Sequence, residues 1–179
     1  NLTTELIAKD FIKDPKFSYV RLDRDKQPDL NPKITKSDFE EGFKIFGEIN
    51  DNKIGIISHG KIFHNCFSIF NDKKDQTICI NLFKSKPFPN KLIEKIKKLK
   101  KILVVDEQTP GGNLGSCVFE NFSNYNYHPK IKVKSLKDIY YFENGGRDYL
   151  LDKNGLSKED IINEINITKN DSPTNWKAS

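Results

Sequence analysis

Apolar and polar positions along this chain follow two periods, and the two alternate. Residues 2–13, LTTELIAKDFIK, set Leu2, Leu6, Ile7 and Phe11, with Ala8, on one helical face, and Thr3 and Thr4 are available to cap it. Asp14 and Pro15 end that helix. The β-formers of FSYVRL (17–22) predict a short strand. Residues 23–38 then lose the pattern, with prolines, many charges and few apolar positions, as a linker or surface crossing does. Regularity returns at Phe39, where FEEGFKIFGEI alternates as a strand. KIGIISHG (53–60) is a continuous apolar run closed by glycine, the mark of a central strand covered on both faces. A helix with Ile62, Cys66, Ile69 and Phe70 inward follows, and then a second buried strand, TICINLF (77–83). Residues 88–101 predict a helix with Leu92, Ile96 and Leu99 inward. ILVVDE is a third buried strand, LGSCVFENFS the next helix, and KIKVKSL (130–136) alternates like an edge strand. Ser157 N-caps a last helix, with Asp160 three residues on. Residues after Asn170 are polar and expected to fray.

Strand and helix repeating with buried strands predicts an α/β layered fold around a largely parallel sheet. A length of 179 residues suits one domain with part of another, and 23–38 is the natural boundary. With 31% charged residues, 36% hydrophobic residues and a mean hydropathy of −0.65, the chain reads as soluble. The net charge of +5 comes from lysines spread along the chain, without the arginine–aromatic interleaving of a nucleic-acid surface. Cys66, Cys79 and Cys117 fit no metal spacing and lie in apolar surroundings, so they predict free thiols in a reducing, cytoplasmic compartment. No apolar run approaches the ~20 residues that span a bilayer. The chain has no methionine, even at its start, which points to a piece of a longer protein.

The stretch KILVVDEQTPGGNLGSCVFENF carries the most suggestive chemistry: a strand opening through Gly111, Gly112 and Gly115 into a helix. A Walker loop would need lysine after its last glycine, where Ser116 and Cys117 stand. The dinucleotide fingerprint is missed as well, since GGNLG is G-G-x-x-G. Asp106 and Glu107 would repel a phosphate, so positive φ and close helix–strand packing are the simpler roles for these glycines. Cys117, expected at the second or third helical position, has a dipole to lower its pKa but no base that the sequence ties to it. His59 ends a central strand, where α/β proteins gather polar sites, and is a strand-end candidate. His59 and His64, five apart, do not share a helical face as zinc ligands would. On a strand, the adjacent Asp106 and Glu107 point to opposite faces and do not form an acid–base pair. Arg21 and Arg24, at the exit of FSYVRL, suit a bidentate anion contact.

Read in order, these parts resemble the C-terminal region of the transketolase family of thiamine-diphosphate enzymes. The closest piece is VVDEQTPGGNLGS; the ending LLDKNGLSKEDI is similar to the helix, glycine-leucine, helix ending of transketolases and deoxyxylulose-phosphate synthase. The resemblance implies that residues 1–24 end a pyrimidine-binding domain and that 25–38 are a linker. Residues 39–170 would form the C-terminal domain, a three-layer α/β/α fold with a mostly parallel, mixed five-stranded sheet, and 171–179 a polar tail. It implies a substrate-phosphate contact at Arg24, with Arg21 ranked second, and no catalytic residue, metal or cofactor site in this piece. Thiamine diphosphate and magnesium would belong to other domains of the parent, a homodimer acting on sugar phosphates, with no nucleic acid or membrane as partner. The activity implied for that parent is two-carbon ketol transfer, with this part packing and dimerising and inactive alone. Two alternatives stay open. One is the corresponding domain of the deoxyxylulose-phosphate synthase or of a 2-oxoacid dehydrogenase β subunit, the latter a docking module. The other is a stand-alone flavodoxin-like domain taking an anion near His59 and the 111–115 turn.

Overall fold

The apolar runs at 54–58, 77–82 and 101–105 form the middle of a single sheet, because residues apolar on both faces can only lie between two layers. The computed structural model describes residues 2–24, 27–125 and 127–170; the expected polar tail, 171–179, lies outside them, as do two residues of the expected linker, 25 and 26. The strands are β1 (Phe43–Phe46), β2 (Ile54–Ser58), β3 (Thr77–Leu82), β4 (Lys101–Val105) and β5 (Lys130–Lys134). Their order is β1-β3-β2-β4-β5. β3, β2, β4 and β5 run parallel, and β1 adds an antiparallel edge with Phe43 opposite Leu82.

Seven helices accompany them among the described residues: α1 (Leu2–Lys13), α2 (Lys36–Glu41), α3 (Ile62–Asp72), α4 (Asn90–Ile96), α5 (Leu114–Phe122), α6 (Gly146–Lys153) and α7 (Lys158–Asn170). The strands deal alternate residues to two cores. On one face Ile57, Ile80, Ile102 and Val104 pack with Leu92 and Ile96 of α4 and Val118 and Phe122 of α5. On the other, Ile54, Ile56, Leu103 and Val105 meet Phe63, Cys66 and Ile69 of α3 and Ile161 and Ile165 of α7. This is a three-layer α/β/α architecture on a mixed five-stranded sheet, as expected. None of its described helices is long and apolar enough to cross a membrane.

Three local expectations need correction. Residues 17–22 form no strand and carry no regular secondary structure, and Phe17 and Tyr19 are exposed to solvent. A strand needs a neighbour to take its N–H and C=O groups, and none of the described strands pairs with it. Residues 39–49 do not alternate throughout, since Phe39–Glu41 close α2. Thr35 and Asp38 form a reciprocal capping box there, and Gly42, at φ +88°, stops the helix. The helix expected over 88–101 is Asn90–Ile96, and the Tyr127 hydroxyl lies 3.0 Å from the Ile96 carbonyl and 2.6 Å from that of Leu99, just past its end. Leu99 is buried all the same. The Ser157 cap forms as expected: its Oγ accepts the Asp160 N–H at 3.2 Å and donates to the Asp160 carboxylate at 2.5 Å.

Candidate functional site

β2 and β4 are parallel neighbours whose register sets Ser58 beside Val105. The next residue of each chain segment therefore leaves the sheet at the same level. His59 Nε2 lies 3.1 Å from Asp106 Oδ1, and Asp106 Oδ2 accepts the N–H of Leu114, the first residue of α5, at 2.7 Å. An ionised carboxylate only accepts, so Nε2 carries the hydrogen of the His59 bond. The Asp106 side chain is 1% exposed and that of His59 33%. Burial by itself would raise the Asp106 pKa. The bonds from His59 and from the Leu114 and Gln108 N–H groups outweigh it and hold the carboxyl below its ordinary range.

The location has topological meaning. From β2 the chain goes to β3 on one side, and from β4 to β5 on the other. The ends of β2 and β4 thus border the crevice where doubly wound sheets take their ligands. In this chain the His59–Asp106 bond bridges those ends.

The glycine turn lies beside it. Gly111 and Gly112 have φ of +90° and +88°, the left-handed region. Gly115 serves packing instead: a Cβ there would stand 2.8 Å from both methyls of Val133 on β5. Asn113 caps α5, its Oδ1 accepting the Ser116 N–H at 3.0 Å, and Ser116 Oγ accepts the Gly112 N–H at 3.2 Å. With Leu114 given to Asp106, the turn spends these N–H groups on its own chain, over a buried carboxylate. That arrangement repels an anion and rigidifies the strand-to-helix corner.

The neighbouring acid faces another partner. Glu107 takes a bidentate pair from Arg147, whose Nε lies 3.1 Å from Oε2 and whose Nη2 contacts Oε1. Asp106 and Glu107 thus tie the β4 end to β2 and to α6 respectively.

Cys117 is the fourth residue of α5, not the second or third, and its thiol donates to the Ser85 carbonyl at 3.4 Å. Burial, with Glu120 nearby, raises its pKa, opposite to the expectation from the helix dipole. Burial pushes Cys66 up to about 12 and Cys79 well above a free thiol, and all three cysteines are free. Arg21 and Arg24 are exposed. Among the described residues no group of three or more His, Cys, Asp or Glu could hold a metal ion.

Two members of this constellation escape sequence reasoning. Asp106 as the partner of His59 follows only once β2 and β4 are known to be adjacent and in register. Arg147 lies 40 residues beyond Glu107, with no local pattern to join them.

No family model and no curated protein matches the chain. Solved structures do. The chain is similar to a split-gene transketolase, described as an inactive beta4 tetramer, with a TM-score of 0.59 and 18% identity over 70% of this chain and 42% of that one. It is also similar to the transketolase of Campylobacter jejuni, with a TM-score of 0.53 and 15% identity over 73% of this chain and 19% of that one. The chain therefore spans less than half the length of the first of these proteins and about a fifth of the second. At such identities the likeness is one of fold, and the fold is that of a segment of these transketolases.

Proposed function

We propose that this chain is the C-terminal part of a transketolase-type thiamine-diphosphate enzyme. In this reading residues 1–24 complete a pyrimidine-binding domain, 25–38 link it, and 39–170 form the C-terminal domain. The observation that carries it is the sheet order β1-β3-β2-β4-β5 with one antiparallel edge, in a chain whose fold is matched over 70% of its length by the split-gene transketolase. The parent transfers a two-carbon ketol unit between sugar phosphates in this reading.

The residues described do not fit thiamine diphosphate or its magnesium. The strand-end crevice presents the buried carboxylate of Asp106, and the turn above it has committed N–H groups to Asn113, Asp106 and Ser116. A diphosphate needs cations and free donors there. We therefore assign the cofactor to other domains of the parent and give this part packing, assembly and one substrate contact. That contact is Arg24 on the substrate phosphate, with Arg21 second. The cofactor would supply the carbanion chemistry and the protein orientation and charge. The split-gene transketolase is described as inactive in its beta4 form, and we extend this to the present chain: it associates with itself but does not catalyse alone.

The test is complementation. The chain is mixed with a polypeptide carrying the diphosphate- and pyrimidine-binding domains, thiamine diphosphate and magnesium, and transfer from xylulose 5-phosphate to ribose 5-phosphate is followed. Activity in the mixture and in neither component is the expected result. Calorimetric binding of thiamine diphosphate by this chain alone, or a mixture that neither associates nor reacts, overturns the reading.

A further inference from the structure

The lysines that lie spread along the sequence are gathered by the fold at one end of the sheet. Ile54, Thr77, Lys101 and Lys130, the first residues of β2, β3, β4 and β5, stand in a row because the four strands are parallel and in register. The segments that enter them, 47–53, 72–76, 97–101 and 127–130, together with the end of α7, 168–170, carry nine lysines and four carboxylates. That excess of five positive charges equals the net charge of the whole chain. On the β1 side of this end, between the end of β1 and the last turn of α3, lies a cavity of about 270 Å³. Phe46 and Phe70, both buried, and Pro32 give it an apolar side, and Asn31, Asn71 and Lys74 bring polar groups to it. Leu30 packs on the α3-side core and so holds the Asn31–Pro32 segment against the domain. Gly47, at φ +97°, lets the backbone meet the Phe70 ring, since a Cβ there would stand 2.9 Å from it. The Lys73 N–H donates to the Ile69 and Phe70 carbonyls, so these two carbonyls at the end of α3 are not left bare beside the cavity.

We propose that this cavity binds a small organic anion. The ligand class is a carboxylate whose apolar body, a ring or a short branched chain, lies on Pro32, Phe46 and Phe70 and whose charge meets Lys74. Three features favour it. First, an apolar surface with a few convergent polar groups is the make-up of a small-molecule site. The volume falls just short of the ~300 Å³ at which sites for drug-sized ligands begin, which sets the size of the ligand. Second, Lys74 is the only charged residue of the lining, and the Asn31 and Asn71 amides beside it can donate to a carboxylate without adding charge. Third, the cavity opens at the end of the molecule where the lysines collect, and a field of one sign raises the local concentration of the opposite ion. The site stands apart from the Asp106 carboxylate, which lies just past the other end of β4, and it does not depend on the chain being part of a transketolase-type enzyme.

Titration of the full chain with three probes, followed in proton–nitrogen correlation spectra, tests this. Benzoate carries ring and charge, benzyl alcohol the ring alone, and acetate the charge alone. Benzoate is expected to move the amide signals of Gly47, Asn71 and Lys74 saturably, with a Kd on the order of 1 mM. Benzyl alcohol should bind more weakly at the same signals, and acetate should not saturate. Lys74→Met, a change at an exposed side chain, is expected to weaken benzoate about fivefold and to leave benzyl alcohol unchanged. Lys98→Met removes the same charge from the same end but outside the cavity lining, and at about 0.15 M salt it should alter benzoate by less than about twofold. Failure of benzoate to saturate these signals overturns the proposal, as do saturable shifts at His59 and Leu114 in their place. Acetate binding as well as benzoate overturns the apolar part, and benzyl alcohol binding as well overturns the charge. An equal loss with Lys98→Met and Lys74→Met leaves only the field of the basic end and overturns the site. None of these results depends on ketol transfer, so the complementation assay judges the functional reading separately.

Discussion

The imidazole of His59 stands 3.1 Å from the carboxylate of Asp106, although 47 residues separate them along the chain. The bond closes the crevice between β2 and β4 and, through the Leu114 N–H, fixes the start of α5. Asp106→Ala leaves that N–H and the imidazole without their acceptor and is expected to cost about 2–3 kcal/mol in urea unfolding at pH 7. Asp106→Asn should fall between, because an amide oxygen accepts one of the two bonds without the charge. The pKa of Asp106 is depressed in the folded state, so its contribution is present above the unfolded aspartate value of 3.8 and lost as pH falls through the lower folded value. The wild type should therefore lose more stability than Asp106→Asn as pH falls from 3.8 through the lower folded value. Parallel acid titrations of the two proteins would assign the effect elsewhere.

Gly111 in the turn and Gly115 in the first turn of α5 should fail for different reasons. Gly115→Ala places its methyl 2.8 Å from Val133 and should cost about 1–3 kcal/mol by overpacking. Val133→Ala in the same molecule removes the obstacle, so the double variant should lose less than the sum of the singles. Gly111→Ala meets no atom within 4 Å but must hold φ near +90°, which costs about 1 kcal/mol. No change at Val133 should relieve it. Denaturation midpoints for the five proteins, wild type included, decide between clash and strain.

Thr168 offers the reverse test. It is 1% exposed on α7, and its Oγ1 has no hydrogen-bond partner among the described residues. Thr168→Val keeps the branched shape and removes the desolvated hydroxyl, so it should stabilise by about 1 kcal/mol. A loss of stability by calorimetry would mean that the hydroxyl is satisfied in solution.

What the sequence discloses here follows from the range of the interactions. Ile54–Ser58, Thr77–Leu82 and Lys101–Val105 are legible because a strand covered on both faces must be apolar at every position. The Ser157 cap is legible because its partner is three residues away. Helix α2 is less so: its capping box sits in a polar stretch that otherwise reads as linker, and Gly42 ends it after six residues. FSYVRL has strand propensity but no described neighbour to pair with, and propensity without pairing does not make a strand. The candidate site is legible only in pieces. His59 and the glycines stand out singly, whereas the joining residue, Asp106, depends on a strand order that no local pattern encodes.

Arg24 is the residue through which the functional reading can be tested in chemistry. In the complemented enzyme Arg24→Ala should raise KM for xylulose 5-phosphate with little change in kcat, because a contact to the unreacting phosphate holds ground state and transition state alike. The loss of a charge-assisted phosphate contact is about 1.5–3 kcal/mol, or roughly a 10- to 150-fold rise in KM. Arg24→Lys should recover part of it, since an ammonium keeps the charge but not the two-pronged geometry. Arg21 ranks second in the same reading, and Arg21→Ala should do less. A ketose without the phosphate separates binding from fold damage: it should be used equally by wild type and Arg24→Ala. An unchanged KM for the phosphorylated ketose would remove Arg24 from the site, and an equal loss with both substrates would make its role structural.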